Sequence, residues 1–122
     1  MWKIKQIVLH SIIQAAQNTH PNEFVAFLGG DKKQKMVTGL IILPAVFGTE
    51  HAIIRSDLLP WNAQSLGSVH SHPGFSNRPS PEDKKMFQQQ GEIHLIICMP
   101  FSLQTIQAFD HNGKPAGFET IE

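Results

Sequence analysis

The chain is 122 residues long, with 41% hydrophobic and 16% charged residues, so it can bury a core of its own and is not a disordered segment. Ten Lys and Arg balance ten Asp and Glu, for a formal net charge of zero. That balance excludes the basic excess that marks most binders of nucleic acid or anionic membranes. Residues 1–122 read as one domain. The single cysteine, Cys98, lies in the apolar run Ile96-Ile97-Cys98-Met99 and makes no internal disulfide; it reads as a buried thiol rather than a nucleophile. No apolar run exceeds strand length, and the positively charged start, Met1 to Lys5, is followed by polar Gln6 and His10 with no small-residue cleavage site. The expected location is the cytoplasm.

In chain order, Ile7, Val8, Ile12, Ala15 and Ala16 fall near helical spacing and predict a helix over residues 5–18, ended before Pro21. Residues 23–28 read as a strand closed by Gly29-Gly30, and residues 35–43 as a second strand ended by Pro44, the two forming an antiparallel hairpin. Residues 45–48 look like loop and residues 51–55 like a third strand, followed by a connection carrying Leu58, Leu59, Pro60 and Trp61. A short buried strand, Leu66-Gly67-Ser68-Val69, runs into His70. After a loop at 74–79, residues 80–90 predict a helix with Met86 on its inner face and Phe87 beside it, stopped by Gly91. Residues 93–99 read as an apolar central strand, residues 103–109 as an outer strand, residues 110–113 as a turn and residues 117–121 as a terminal strand or extension. The sum is an α/β sandwich around a mixed sheet.

The chemistry gathers at Val69-His70-Ser71-His72-Pro73 and Ser80-Pro81-Glu82-Asp83. Side chains two apart on a strand share a face, so His70 and His72 converge. Two imidazoles and a nearby carboxylate make a divalent-metal site with one position open, the pattern of a catalytic zinc. A His-x-His pair alone is weak evidence. Ser80 to Asp83 also reads as a helix start, with Ser as N-cap, Pro at the first position and acids in the first turn. The two readings are compatible, because a capped helix start would hold Asp83 rigidly within reach of a metal. Glu23, taken alone, reads as a solvated acid at a strand mouth. His10, His20, His51, His94 and His111 read as surface or structural histidines, with His94 partly buried beside the apolar run.

Glu23, then His70-Ser71-His72-Pro73, six residues, then Ser80 and Asp83, resembles the JAMM (MPN-plus) metalloprotease motif: a distant Glu, H-[ST]-H-P, six residues, S-x-x-D. The stretch from His20 to Phe24, the Gly29-Gly30 turn and the strands flanking the second helix are also similar to the small archaeal members, over nearly the whole chain. The resemblance implies a cytidine-deaminase-like (JAB/MPN) sandwich, a mixed curved β-sheet packed by two main helices. It implies cleavage of isopeptide or peptide bonds beside the C-terminal Gly-Gly of ubiquitin-like, β-grasp proteins. His70, His72 and Asp83 would bind Zn²⁺, Glu23 would be the acid/base, and Ser80 would steady the oxyanion. The chain departs from the large eukaryotic deubiquitinases in having short segments between Pro44 and Leu66 and after Gly91, which makes linkage-specific polyubiquitin cleavage doubtful, and no appended partner-binding domain is expected. Three functions follow: a zinc isopeptidase releasing a modifier from a lysine amine, a processing protease trimming a β-grasp sulfur-carrier protein, and a metal-free MPN scaffold, against which the intact ligand set argues.

Overall fold

Trp2 and Ile4 alternate with Lys3 and Lys5, and this period of two makes the first four described residues after Met1 a strand, β1 (Trp2–Lys5), with Trp2 and Ile4 facing the core. The fold is that of a computed structural model, which describes residues 1–42, 45–47, 52–54 and 65–122. The chain passes directly from β1 into α1 (Gln6–Thr19), whose buried positions are Val8, Leu9, Ile12 and Ala16. Ile7, expected on the inner face, is 68% exposed, and Leu9 takes the buried place instead.

The expected hairpin is present as β2 (Val25–Asp31) and β3 (Met36–Ile41), paired antiparallel. Gly29-Gly30 does not close it. The strand runs through the pair with a register shift at that point, and the turn falls at residues 32–35. Asp31 fixes that turn by accepting from the Lys33 and Gln34 amides at 2.9 and 3.2 Å. Residues 45–47, expected as loop, form β4 (Ala45–Phe47), paired antiparallel with β5 (Ala52–Ile54) in a separate two-stranded sheet. The ends of the expected third strand, His51 and Arg55, and the connection from Leu58 to Trp61 lie outside the described residues.

The remaining elements are β6 (Ser65–Ser71), α2 (Pro81–Gln89), β7 (Ile93–Ile97), a 3-10 turn (Leu103–Thr105), β8 (Ile106–Phe109), β9 (Pro115–Ala116) and β10 (Phe118–Ile121). They complete an eight-stranded sheet in the order β10-β1-β3-β2-β6-β7-β8-β9. The sheet is mixed: β1 runs parallel to β10 and β3, and β6 parallel to β7, while the other neighbours are antiparallel. β8 is therefore not the sheet edge, because the short β9 pairs outside it.

All five residues of β7 are buried because both faces of the sheet are covered. Ile93, Leu95 and Ile97 join α1 and Ala26, Leu28, Val37 and Val69 in the larger core. Ile96 points the other way, against Phe87 of α2 and Phe109. Phe87, not Met86, is the fully buried anchor of α2; Met86 packs beside it, half-buried. β6 and β7 approach so closely that a Cβ on residue 67 would sit 1.5 Å from the Ile93 carbonyl oxygen, which explains a glycine in mid-strand. Among the described residues no helix is long and apolar enough to cross a membrane.

Candidate metal centre

β6 carries His70, and His72 directly after its last residue, to the C-terminal end of β6 and β7, and α2 delivers Asp83 to the same point. His70 Nε2 and His72 Nε2 stand 3.1 Å apart. Asp83 Oδ1 is 3.1 Å from His70 Nε2, and Asp83 Oδ2 is 3.2 Å from His72 Nε2. Ligand atoms held about 2.0–2.1 Å from a tetrahedral zinc stand about 3.3 Å from one another. The three side chains are thus already at the spacing a zinc ion would impose.

The protonation chemistry agrees. His72 Nδ1–H donates to the Ser76 carbonyl at 3.0 Å, which in the neutral ring leaves a lone pair on Nε2. That lone pair faces a carboxylate oxygen and a second imidazole nitrogen. Such a cluster of acceptors is stable only around a cation, either a proton or a metal. Burial pushes the His72 pKa down, but the bond to Asp83, the bond to the Ser76 carbonyl and the charges of Asp83 and Glu23 together outweigh it, and the net direction is up. Burial likewise would push Asp83 up, but the bonds to His70 and His72 hold its carboxyl far below the usual carboxylate range.

α2 begins as the sequence suggests. Ser80 Oγ accepts from the Asp83 amide at 3.1 Å and the Ser80 amide donates to Asp83 Oδ2 at 2.9 Å, a reciprocal cap with Pro81 at the first helical position. The cap immobilises the Asp83 carboxylate. It uses Ser80 Oγ as an acceptor, so the hydroxyl proton remains available to donate.

Glu23 is placed by register. β2 and β6 pair antiparallel with Val25 opposite His70 and Ala26 opposite Val69. Continuing that register sets Phe24 opposite Ser71 and Glu23 opposite His72. The Phe24 amide donates to Ser71 Oγ at 2.8 Å and the Ser71 amide donates to the Phe24 carbonyl at 2.9 Å, so the pairing does extend beyond the strand end. Glu23 then shares a face with His70 and His72. It is 6% exposed, not solvated as its local sequence alone suggests. Ser71, which the sequence reading left without a role, is what fastens Glu23 there; its position between two same-face histidines was the available signal.

His94 is fully buried beneath the site. Its Nε2–H is shared by the Phe87 and Gly91 carbonyls at 3.1 Å each, and Nδ1 accepts from Ser68 Oγ at 2.7 Å. Burial lowers its pKa to about 4, so it is neutral in the folded chain at physiological pH. An unfolded histidine titrates near 6.5, so between pH 6.5 and 4 the unfolded chain binds more protons. The stability His94 contributes is complete above pH 6.5 and is lost as pH falls toward 4, by about 3 kcal/mol. His72 acts oppositely: its raised pKa contributes stability below pH 6.5 that disappears as pH rises through the folded value. The chelated chain should therefore melt highest near pH 6.5, which thermal unfolding across pH 4–9 will check. A Tm unchanged between pH 6.5 and 4.5 would show that His94 is not held neutral.

The structure thus brings His70, His72 and Asp83 to one point, sets Glu23 across from His72, and puts Ser80 at the cap beneath Asp83. Known proteins share this arrangement of chain. Residues 5–112 match the family described as prokaryotic homologs of the JAB domain. A probable metalloprotease of Haloferax volcanii is 31% identical over an alignment covering 90% of this chain and 73% of its own. The structure of a JAB1/MPN-domain protein from Archaeoglobus fulgidus superposes with a TM-score of 0.80 at 31% identity, covering 100% of this chain and 98% of that one. Another solved structure, described as JAMM, a metalloprotease-like zinc site in the proteasome and signalosome, gives a TM-score of 0.78 at 32% identity and covers 100% and 99%. With the family match spanning most of its length and the fold shared from end to end, the chain belongs to the JAMM/MPN metalloprotease-like family, among the prokaryotic homologs of the JAB domain.

Proposed function

We propose that this chain is a zinc-dependent isopeptidase that hydrolyses the amide bond between the C-terminal glycine of a ubiquitin-like modifier and a lysine amine. The observation that carries the proposal is the convergence of His70, His72 and Asp83 with their acceptor atoms 3.1–3.2 Å apart, and Glu23 on the same face. His70 and His72 would each give Nε2 and Asp83 a carboxylate oxygen to the ion. Bound there, zinc would lower the pKa of water to about 7 and polarise the scissile carbonyl.

The chain's own groups account for the rest of an amide hydrolysis. Glu23 takes a proton from the attacking water and returns it to the leaving lysine nitrogen, which departs as the neutral amine. Ser80 O–H donates to the carbonyl oxygen as charge develops on it. The reciprocal cap keeps Asp83 and Ser80 from shifting as that charge appears and collapses.

Two features suit an extended Gly-Gly tail. Among the described residues β5 pairs only with β4, leaving an edge where a peptide gains main-chain hydrogen bonds. The loop at 74–79 forms a rigid rim: the Met99 amide donates to the Gly74 carbonyl at 2.9 Å and Asn77 Nδ2 to the Thr105 carbonyl at 3.1 Å. Phe75 stands on that rim 79% exposed, an apolar surface beside the site that a bound tail would cover. A single free, buried cysteine fits action in a reducing cytoplasm.

The test is incubation with β-grasp proteins joined through a lysine side chain or as linear fusions, with mass spectrometry of the products. Release of the modifier at its terminal glycine from the lysine-linked substrate, abolished by chelator and restored by zinc, is expected. Cleavage of linear fusions alone would transfer the assignment to a processing protease. Turnover that persists in chelator, or no cleavage of either form, would overturn it.

A further inference from the structure

A ligating histidine ordinarily donates its second ring N–H to a carbonyl or carboxylate, which fixes the ring and the tautomer. His72 does so, through Nδ1 to Ser76. His70 does not: its Nδ1 is buried and has no hydrogen-bond partner among the described residues. On its Nδ1 side, something other than a hydrogen bond has to orient that ring.

What lies against it is aromatic. The His72 ring is 5.0 Å from the His70 ring and the Phe87 ring 6.4 Å, centroid to centroid, and the Phe87 ring is itself stacked on His94 at 4.3 Å with planes 15° apart. His94 is tied in three directions, to Ser68 of β6 and to the carbonyls of Phe87 and Gly91 at the end of α2. Ser68 lies opposite His94 in the parallel register and two residues before His70, on the same face of β6. Phe87 lies one helical turn after Asp83, on the same side of α2. The same imidazole thus joins the strand that carries two of the site's side chains to the helix that carries the third. It also satisfies the Phe87 carbonyl in the last turn of α2, together with the Gly91 carbonyl just beyond the helix.

We propose that His94 is a positioning residue for the metal site: through Phe87 it sets the plane of the His70 ring, and by linking Ser68 to the end of α2 it fixes the distance from Asp83 to the two imidazoles. The inference rests on the reading of His70, His72 and Asp83 as a zinc site. His94 touches neither metal nor substrate, and acts only by holding what does. Its neutral Nε2–H tautomer is dictated by two acceptors on one side and a hydroxyl donor on the other.

The experiment is zinc affinity, measured by competition with a chromophoric chelator, in the full chain. His94→Leu removes all three bonds and should weaken zinc binding by about 10–100-fold, the range for lost support of a ligand. His94→Gln restores an amide donor near the Phe87 and Gly91 carbonyls and should recover part of that loss. Leu9→Ala, in the core on the α1 side of the sheet, serves as a destabilised control and should bind zinc as the parent does. If His94→Leu does not fold, Ser68→Ala takes its place; it removes the donor to Nδ1 alone and should weaken zinc several-fold. Affinity within threefold of the parent in His94→Leu, or in Ser68→Ala where that variant stands in, would overturn the proposal, as would an equal weakening in Leu9→Ala. A parent chain that binds no zinc would overturn the zinc site itself, an outcome distinct from any difference between variants.

Discussion

Glu23→Gln should leave the fold and zinc content unchanged while lowering turnover by about 10²–10⁴-fold, the usual worth of a positioned general base. The substitution is nearly isosteric and keeps an oxygen at the same place. On the proposed mechanism it removes the ability to take a proton from water and pass it to the leaving amine, together with the negative charge that Glu23 places near His72. Because Glu23 is 6% exposed and set against His72 by the β2–β6 register, the glutamine would be held where the carboxylate was. With zinc content unchanged, a loss in activity of that size is then expected to be a loss of proton transfer. Zinc content by mass spectrometry under native conditions and turnover on a lysine-linked substrate check the two halves separately. Activity within tenfold of the parent would remove Glu23 from the reaction.

Ser80→Ala should cost about 1 kcal/mol of stability, through the lost acceptor for the Asp83 amide. Its cost to the reaction should be larger, about 2.7–4 kcal/mol of barrier or roughly 10²–10³-fold in kcat, through the lost donor to the oxyanion. The structure supplies the reason these can be separated. The reciprocal bond from the Ser80 amide to Asp83 Oδ2 is made by backbone and survives the substitution. Asp83 therefore stays in place and zinc affinity should change little. Measured side by side, a drop in kcat no larger than the fall in folding stability would make Ser80 a helix cap and nothing more.

The comparison of sequence with structure shows which signals are local. The Ser80-Pro81-Glu82-Asp83 cap was legible because each of its bonds joins residues three apart. The convergence of His70 and His72 was legible because a strand repeats every two residues. The same period was present in Trp2-Lys3-Ile4-Lys5, yet no turn separates that strand from α1, and its β character is secured by pairing with β3 and β10, which no local pattern reveals. Ala45–Phe47 was missed for a related reason: three residues are too few to show a period, and their partner is β5. The inner face of α2 was misplaced by one residue, because Phe87 is chosen by Ile96, Phe109 and His94 rather than by the helix itself.

The sequence alone determined the types and spacing of the candidate metal ligands, the capped helix that carries Asp83 and the strand that leads into the two histidines. These depend on neighbours a few positions apart, so chain geometry suffices. Only the tertiary structure decided that Glu23 is buried across from His72, through bonds between Phe24 and Ser71, 47 residues apart, and that His94 ties strand to helix beneath them. Those placements depend on strand register and on the packing of α2 against the sheet. Both are settled by which buried surfaces fit together, and no stretch of the chain carries that information by itself.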